Sequence, residues 1–214
     1  MQKDMVDNPW IKYPLLYLIV IIGSGLYMLT NHMRLFKPSQ LSLTPIDNFI
    51  PFIPETIFVY VAIFILILIM PFLITDGIVF RRTILAGFLL LIFNIMIFVF
   101  FPTEYSARPD VAVTMGQDHW LYFAYKALHE ADTESNCFPS MHVSIVTYIT
   151  LITYKVKPRL FKVLCVFAFF IILSTLTTKQ HYLWDVLGGV LLAVSIFAIS
   201  LRDFPYKYSG LHVI

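Results

Sequence analysis

The chain has 214 residues, 59% hydrophobic and 13% charged, with a net charge of +2 and a mean hydropathy of +0.80. A soluble domain carries about 45–50% apolar and about 25% charged residues, so this composition excludes a soluble enzyme and selects a polytopic membrane protein. The small net charge, with no basic cluster, excludes nucleic acid as a partner. Cys137 and Cys165 give neither a disulfide framework nor metal-ligand spacing.

Residues 1–12 are polar and are predicted to lie at the membrane surface, with Trp10 and Tyr13 as interfacial anchors. The first span, 13–33, is longer than a signal-peptide core and lacks a small-x-small cleavage site, so it is read as retained. Residues 34–53, with Pro38, Pro45 and Pro51, are too broken to span and are predicted to lie along the interface. Residues 55–74 form the second span, which tolerates Pro71 near its end. A turn over 76–82 ends in Arg81-Arg82, and a third span over 83–101 stops at Pro102.

Residues 103–139 make the one long connection, a length more often functional than accidental. Within it, 118–130 predicts a short helix burying Trp120, Leu121, Phe123, Ala124 and Leu128. Spans over 140–154, 160–176 and 181–201 complete a single all-α domain of six transmembrane helices over 1–214, with its chemistry-bearing core at about 55–201. Six spans put both termini on one side, with ten of the fifteen Lys and Arg residues. The positive-inside rule then places the termini in the cytoplasm and the polar connection on the opposite face, periplasmic in a bacterial inner membrane.

Ionisable groups at membrane depth are costly and usually functional, which singles out His142, Lys179, His181 and Asp185. His181 and Asp185, at i and i+4, share a helical face, and a carboxylate on one ring nitrogen leaves the other free to attack. His142, in the first turn of another helix, could protonate a leaving oxygen. Arg108 offers a planar fork for phosphate oxygens, Lys179 a point charge for the same oxygens, and Ser140 a hydroxyl better suited to capping the helix start than to attack. Pro139-Ser140 also turns the first N–H groups of that helix toward an anion. The expected site is therefore catalytic His142, His181 and Asp185 with substrate-binding Arg108, Ser140 and Lys179. His32, His119, His129 and His212 are expected at the surface.

Phe138-Pro139-Ser140-Met141-His142, together with Thr177-Thr178-Lys179-Gln180-His181-Tyr182-Leu183-Trp184-Asp185, resembles the type 2 phosphatidic acid phosphatase (PAP2) superfamily of lipid phosphatases, lipid phosphotransferases and vanadium haloperoxidases. Arg108-Pro109 resembles the end of its first motif. The resemblance implies a six-helix bundle, phosphoryl transfer to His181 supported by Asp185, protonation of the departing alcohol by His142, and neither metal nor other cofactor. The first-motif Lys would fall at Phe101, Met141 replaces a Gly, and the third-motif Arg falls at Thr175, so Lys179 is read as a substitute cation. The implied partner is a lipid phosphate in the membrane: a phosphatidate, a phosphatidylglycerol phosphate, a polyprenyl diphosphate or a lipid A-type phosphate. The rival is a phosphotransferase of the inositol phosphorylceramide synthase type. Two further readings are a hydrolase holding zinc between His142, His181 and Asp185, and a binding or transport protein without catalysis.

Overall fold

The computed structural model describes residues 8–33 and 35–201. The surface segment at 1–7, Arg34 and the tail with His212 lie outside the described residues, as does the side chain of the expected anchor Trp10. Six helices run along the bundle: α1 (Pro9–His32), α3 (Ile57–Leu73), α4 (Gly77–Phe100), α7 (Met141–Val156), α8 (Pro158–Thr177) and α9 (Leu183–Leu201). Three short ones, α2 (Pro45–Phe49), α5 (Val111–Thr114) and α6 (Tyr122–Ala131), lie in the connections.

Among the described residues five segments are long and apolar enough to cross a membrane: Tyr13–His32, Pro54–Leu73, Gly77–Phe100, Pro158–Thr177 and Leu183–Leu201. The sixth expected span, α7, has 16 residues. At 1.5 Å per residue it covers about 24 Å, short of a hydrocarbon core of about 30 Å. It packs against α3, α4, α8 and α9, so protein rather than lipid surrounds it. That shelter explains its hydroxyls: Ser144, Thr150 and Thr153 each donate to the carbonyl four residues back, at 2.9, 2.7 and 2.9 Å. Tyr148 donates to the Thr83 carbonyl at 2.6 Å.

The core lies around α7. Ala86 and Leu90 of α4 meet Ile149 and Ile152 of α7 and Ala193 and Ile196 of α9, while Ile63 of α3 meets Val146, Ala168 and Ile171. Large apolar side chains such as Ile65, Phe169, Leu191 and Ile199 point outward, as in a protein whose solvent is lipid. The described termini of α1 and α9 and the turns at 74–76 and 157 lie at one end. The long connections and the 178–182 turn lie at the other.

The helix starts follow local chemistry. Asp76 caps α4 by accepting from the Ile78 and Val79 N–H groups, both at 2.9 Å, so the helix begins at Gly77 and the expected turn over 76–82 is largely helical. Pro158 opens α8 at a position where a missing N–H costs nothing. Residues 35–53 fold over the connection-bearing end. Ser39–Gln40 (β1) pairs in parallel with Thr103–Glu104 (β2), and α2 turns Ile46 and Phe49 outward but Asp47 inward. In the long connection α6 forms close to its predicted place but buries Leu121 and Tyr125, while Trp120, Phe123 and Ala124 face outward. Trp120 stacks on the outward ring of Phe58 at 5.7 Å, so the expected burial of Trp120, Phe123 and Ala124 is corrected to an exposed apolar face.

Candidate active site

The 178–182 turn is built by the end of α8. The Gln180 N–H donates to the Thr175 carbonyl at 3.1 Å and the Lys179 N–H to the Leu176 carbonyl at 3.2 Å, the pair of bonds that closes a Schellman motif. The motif needs a left-handed residue at Lys179, where φ is 56°, a conformation that favours glycine and costs a side-chain-bearing residue about 1–2 kcal/mol. Two contacts hold it there. The Lys179 ammonium donates to the carbonyls of Asp47 and Ile50, and the Asp47 carboxylate accepts from the Leu183 N–H at 2.8 Å, capping α9. Asp47 is itself fixed by a reciprocal capping box with Thr44. Burial lowers the Lys179 pKa, with Asp47 opposing. Lys179, expected to contact phosphate, thus has two of its three donors on backbone carbonyls and ties α2 to the turn before His181.

His181 and Asp185 face each other, but not on one helical face as expected: α9 starts at Leu183, and His181 lies in the turn before it. Asp185 is fully buried, and its Oδ2 lies 3.4 Å from His181 Nδ1 and accepts from the Tyr182 N–H at 2.8 Å. Asp185 Oδ1 is buried with no protein partner. A proton on Nδ1 shared with this carboxylate leaves Nε2 of His181 with its lone pair.

His142 arrives from α7. Ser140 caps that helix: its hydroxyl is wholly buried and accepts from the Val143 N–H at 3.4 Å, while its own N–H donates to the Asp185 carbonyl at 3.0 Å. The start of α7 therefore rests directly on the start of α9. Glycine permits that approach, because a Cβ at Gly189 would stand 2.7 Å from the Ser140 carbonyl oxygen. The two imidazoles consequently lie with ring centroids 6.4 Å apart. His142 Nε2 is buried without a protein partner. The His142 ring stacks on Tyr60 at 4.2 Å and meets Phe64 edge-on at 6.0 Å, and Phe64 is itself outward-facing.

Arg108 is held in the long connection by the carbonyls of Asp132 and Thr133, to which its terminal nitrogens donate, and its Nε is buried without a protein partner. It lowers the pKa of His129, which burial above all holds at about 4, with Asp110 opposing. His129 was expected at the surface. It is half-buried, and its Nε2 lies 3.3 Å from Nε2 of the fully buried Gln180, next to His181. A neutral imidazole accepts the Gln180 amide proton there, and Gln180 Oε1 has no protein partner. The chain thus brings a carboxylate-backed imidazole beside a second imidazole, and next to them in the fold His129 is hydrogen-bonded to Gln180 and feels the Arg108 charge. That set can hold and transfer a small oxyanion.

Sequence reasoning missed Asp47, Tyr60, His129, Asp132 and Gln180. Thr44-x-x-Asp47 was readable as a capping box, but nothing in it said that the same carboxylate caps a helix 136 residues later. The positions where the superfamily's other cations would fall carry none. Phe101 is exposed, and Thr175 is wholly buried with its hydroxyl on the Ile172 carbonyl. Among the described residues no group of three or more His, Cys, Asp or Glu side chains is arranged to hold a metal ion.

A bundle of long apolar helices whose buried histidines and carboxylates gather at one end has the form of an integral membrane protein with its polar site at that end rather than of a pore lined along its length. The family model described as the PAP2 superfamily matches residues 53–199, more than two thirds of the chain, and the chain belongs to that superfamily. The matched stretch contains Arg108, Ser140, His142, Lys179, His181 and Asp185, whereas α1 and Asp47 precede it. No curated protein and no solved structure matches the chain.

Proposed function

We propose that the protein is a membrane phosphatase that removes the phosphate of a lipid phosphate through a phosphohistidine. The reading rests on the 6.4 Å separation of two imidazoles, one backed by a carboxylate and the other with a free buried Nε2. His181 Nε2 attacks phosphorus as the bond to the alcohol oxygen breaks. His142, protonated on Nε2, gives its proton to that oxygen, and Asp185 shares the charge that develops on His181. Water deprotonated by His142 then attacks the phosphohistidine, releasing phosphate and restoring both rings. Arg108 Nε–H, which has no protein acceptor, supplies a donor for the phosphoryl oxygens, while Gln180, whose amide protons go to His129 and the Thr178 carbonyl, and Lys179 act only by holding the turn before His181. A lipid is favoured because Phe64 borders both His142 and the lipid-facing surface, so a headgroup can reach the rings while its chains stay in the bilayer. Transfer of the same phospho group to an alcohol uses the same first step.

The test is a panel of phosphatidate, phosphatidylglycerol phosphate, polyprenyl diphosphate and lipid A-type phosphate assayed in detergent for free phosphate. His181→Ala should lose turnover by several orders of magnitude and His142→Ala by about 10²–10⁴-fold, with both proteins folded. Phosphate release undiminished in His181→Ala would remove the phosphohistidine. A new phospholipid formed without phosphate release would assign transfer instead.

A further inference from the structure

Tyr60 lies in α3, wholly buried, with its ring stacked on His142. Its hydroxyl has two neighbours, Asp132 Oδ2 at 3.4 Å and His142 Nδ1 at 3.4 Å. A carboxylate only accepts, so the phenolic proton belongs to Asp132 and the oxygen's lone pair is left for the His142 Nδ1–H. Asp132 is anchored for this task. Its Oδ1 accepts from the Tyr27 hydroxyl at 2.6 Å and from Asn31 Nδ2 at 3.2 Å, and its carbonyl holds Arg108. The line Asp132–Tyr60–His142 therefore joins α1, the long connection, α3 and α7 to the imidazole whose other nitrogen faces the site.

We infer that Tyr60 and Asp132 are positioning residues that hold His142 with Nδ1–H turned inward, so that Nε2 can carry the proton delivered to the leaving alcohol, an inference that rests on the phosphatase reading above. With Nδ1 donating to Tyr60, a proton on Nε2 makes the ring an imidazolium. That charge is offset by the phosphoryl group in front of it and by the carboxylate reached through the phenol behind it. In the step itself the ester P–O bond breaks, its electron pair stays on the alcohol oxygen, and that oxygen takes the Nε2 proton. The Nδ1 proton and the phenolic proton remain where they are. Tyr60 and Asp132 touch no substrate. Their effect should scale with how badly the leaving group needs a proton.

Compare kcat/KM, which reports steps up to phosphohistidine formation, on an alkyl phosphate lipid and on p-nitrophenyl phosphate, whose leaving group departs without a proton. Tyr60→Phe keeps the ring on His142 and removes only the hydroxyl. It should raise the aryl-to-alkyl ratio of kcat/KM about 10–100-fold, part of a general acid's full effect, and Asp132→Asn should raise it in the same direction. In a His142→Ala background Tyr60→Phe should leave that ratio unmoved. An equal loss on both substrates, or no change on either, would overturn the assignment while the reading of the site stands. If His181→Ala leaves p-nitrophenyl phosphate turnover intact, the site reading itself falls.

Discussion

His129 carries the clearest pH signature among the groups outside the spans. Its neighbours are Gln180, which donates to it, Arg108, which disfavours its protonation, and Asp110, which favours it. Its folded pKa, about 4, lies below the ordinary value of 6.5, so below pH 6.5 the unfolded chain binds the proton more readily. The neutral ring is therefore compatible with full stability above pH 6.5, and stability is lost as pH falls from there toward 4. Partial exposure screens the effect. The thermal midpoint in detergent should drop between pH 6.5 and 4.5, and His129→Gln should flatten that slope. Parallel slopes would show that other groups set the acid limb. Position 129 also shows the limit of reading a residue alone, since a His in an exposed amphipathic helix looks like surface until the 178–182 turn is laid against it.

At the scale of elements, the crossing of α7 and α9 is what brings the histidines together. Gly188 and Gly189 face it differently. A Cβ at Gly189 would meet backbone, the Ser140 carbonyl oxygen at 2.7 Å and the Ser144 nitrogen at 3.2 Å, whereas one at Gly188 would meet the ring of Phe138, which can turn aside. Helix propensity favours Ala over Gly by about 1 kcal/mol, but forcing atoms into a closed contact costs about 1–3 kcal/mol. Gly189→Ala should therefore lower the thermal midpoint and reduce kcat by moving the start of α7, with Gly188→Ala milder in both assays. Equal effects would show that the Phe138 ring yields no more readily than the Ser140 backbone does. The helices themselves were legible from their apolar runs. The boundary at Gly77 and the outward face of α6 were not, because a cap and an exposed apolar stripe read like a turn and a buried face.

Across the whole molecule, charge and site separate. Arg81, Arg82, Lys155, Lys157, Arg159 and Lys162 lie at or near the end away from the histidines, and Lys37, Arg108, Lys126 and Lys179 lie at the site end. The positive-inside rule gives a test of orientation. In a bacterial inner membrane, a cysteine replacing Lys126 should react with an impermeant thiol reagent from outside the cell, and one replacing Lys157 only with a permeant reagent. The reverse pattern would turn the site toward the cytoplasm.

By itself the sequence determined that the chain is a helical membrane protein of the PAP2 superfamily, and where its apolar segments run. Span length, hydropathy and motif spacing are local properties that need no partner to be read. The His181–Asp185 pair was legible from its spacing, but not its geometry: His181 lies in the turn before α9, and the contact is made across the helix start rather than along a helical face. Only the tertiary structure decided that Asp47 caps α9, that Lys179 ties down a turn, that His129 reaches Gln180, and that Tyr60 and Asp132 stand behind His142. Each of those contacts joins residues between 51 and 136 positions apart. Their existence depends on how six helices pack, which no local pattern encodes.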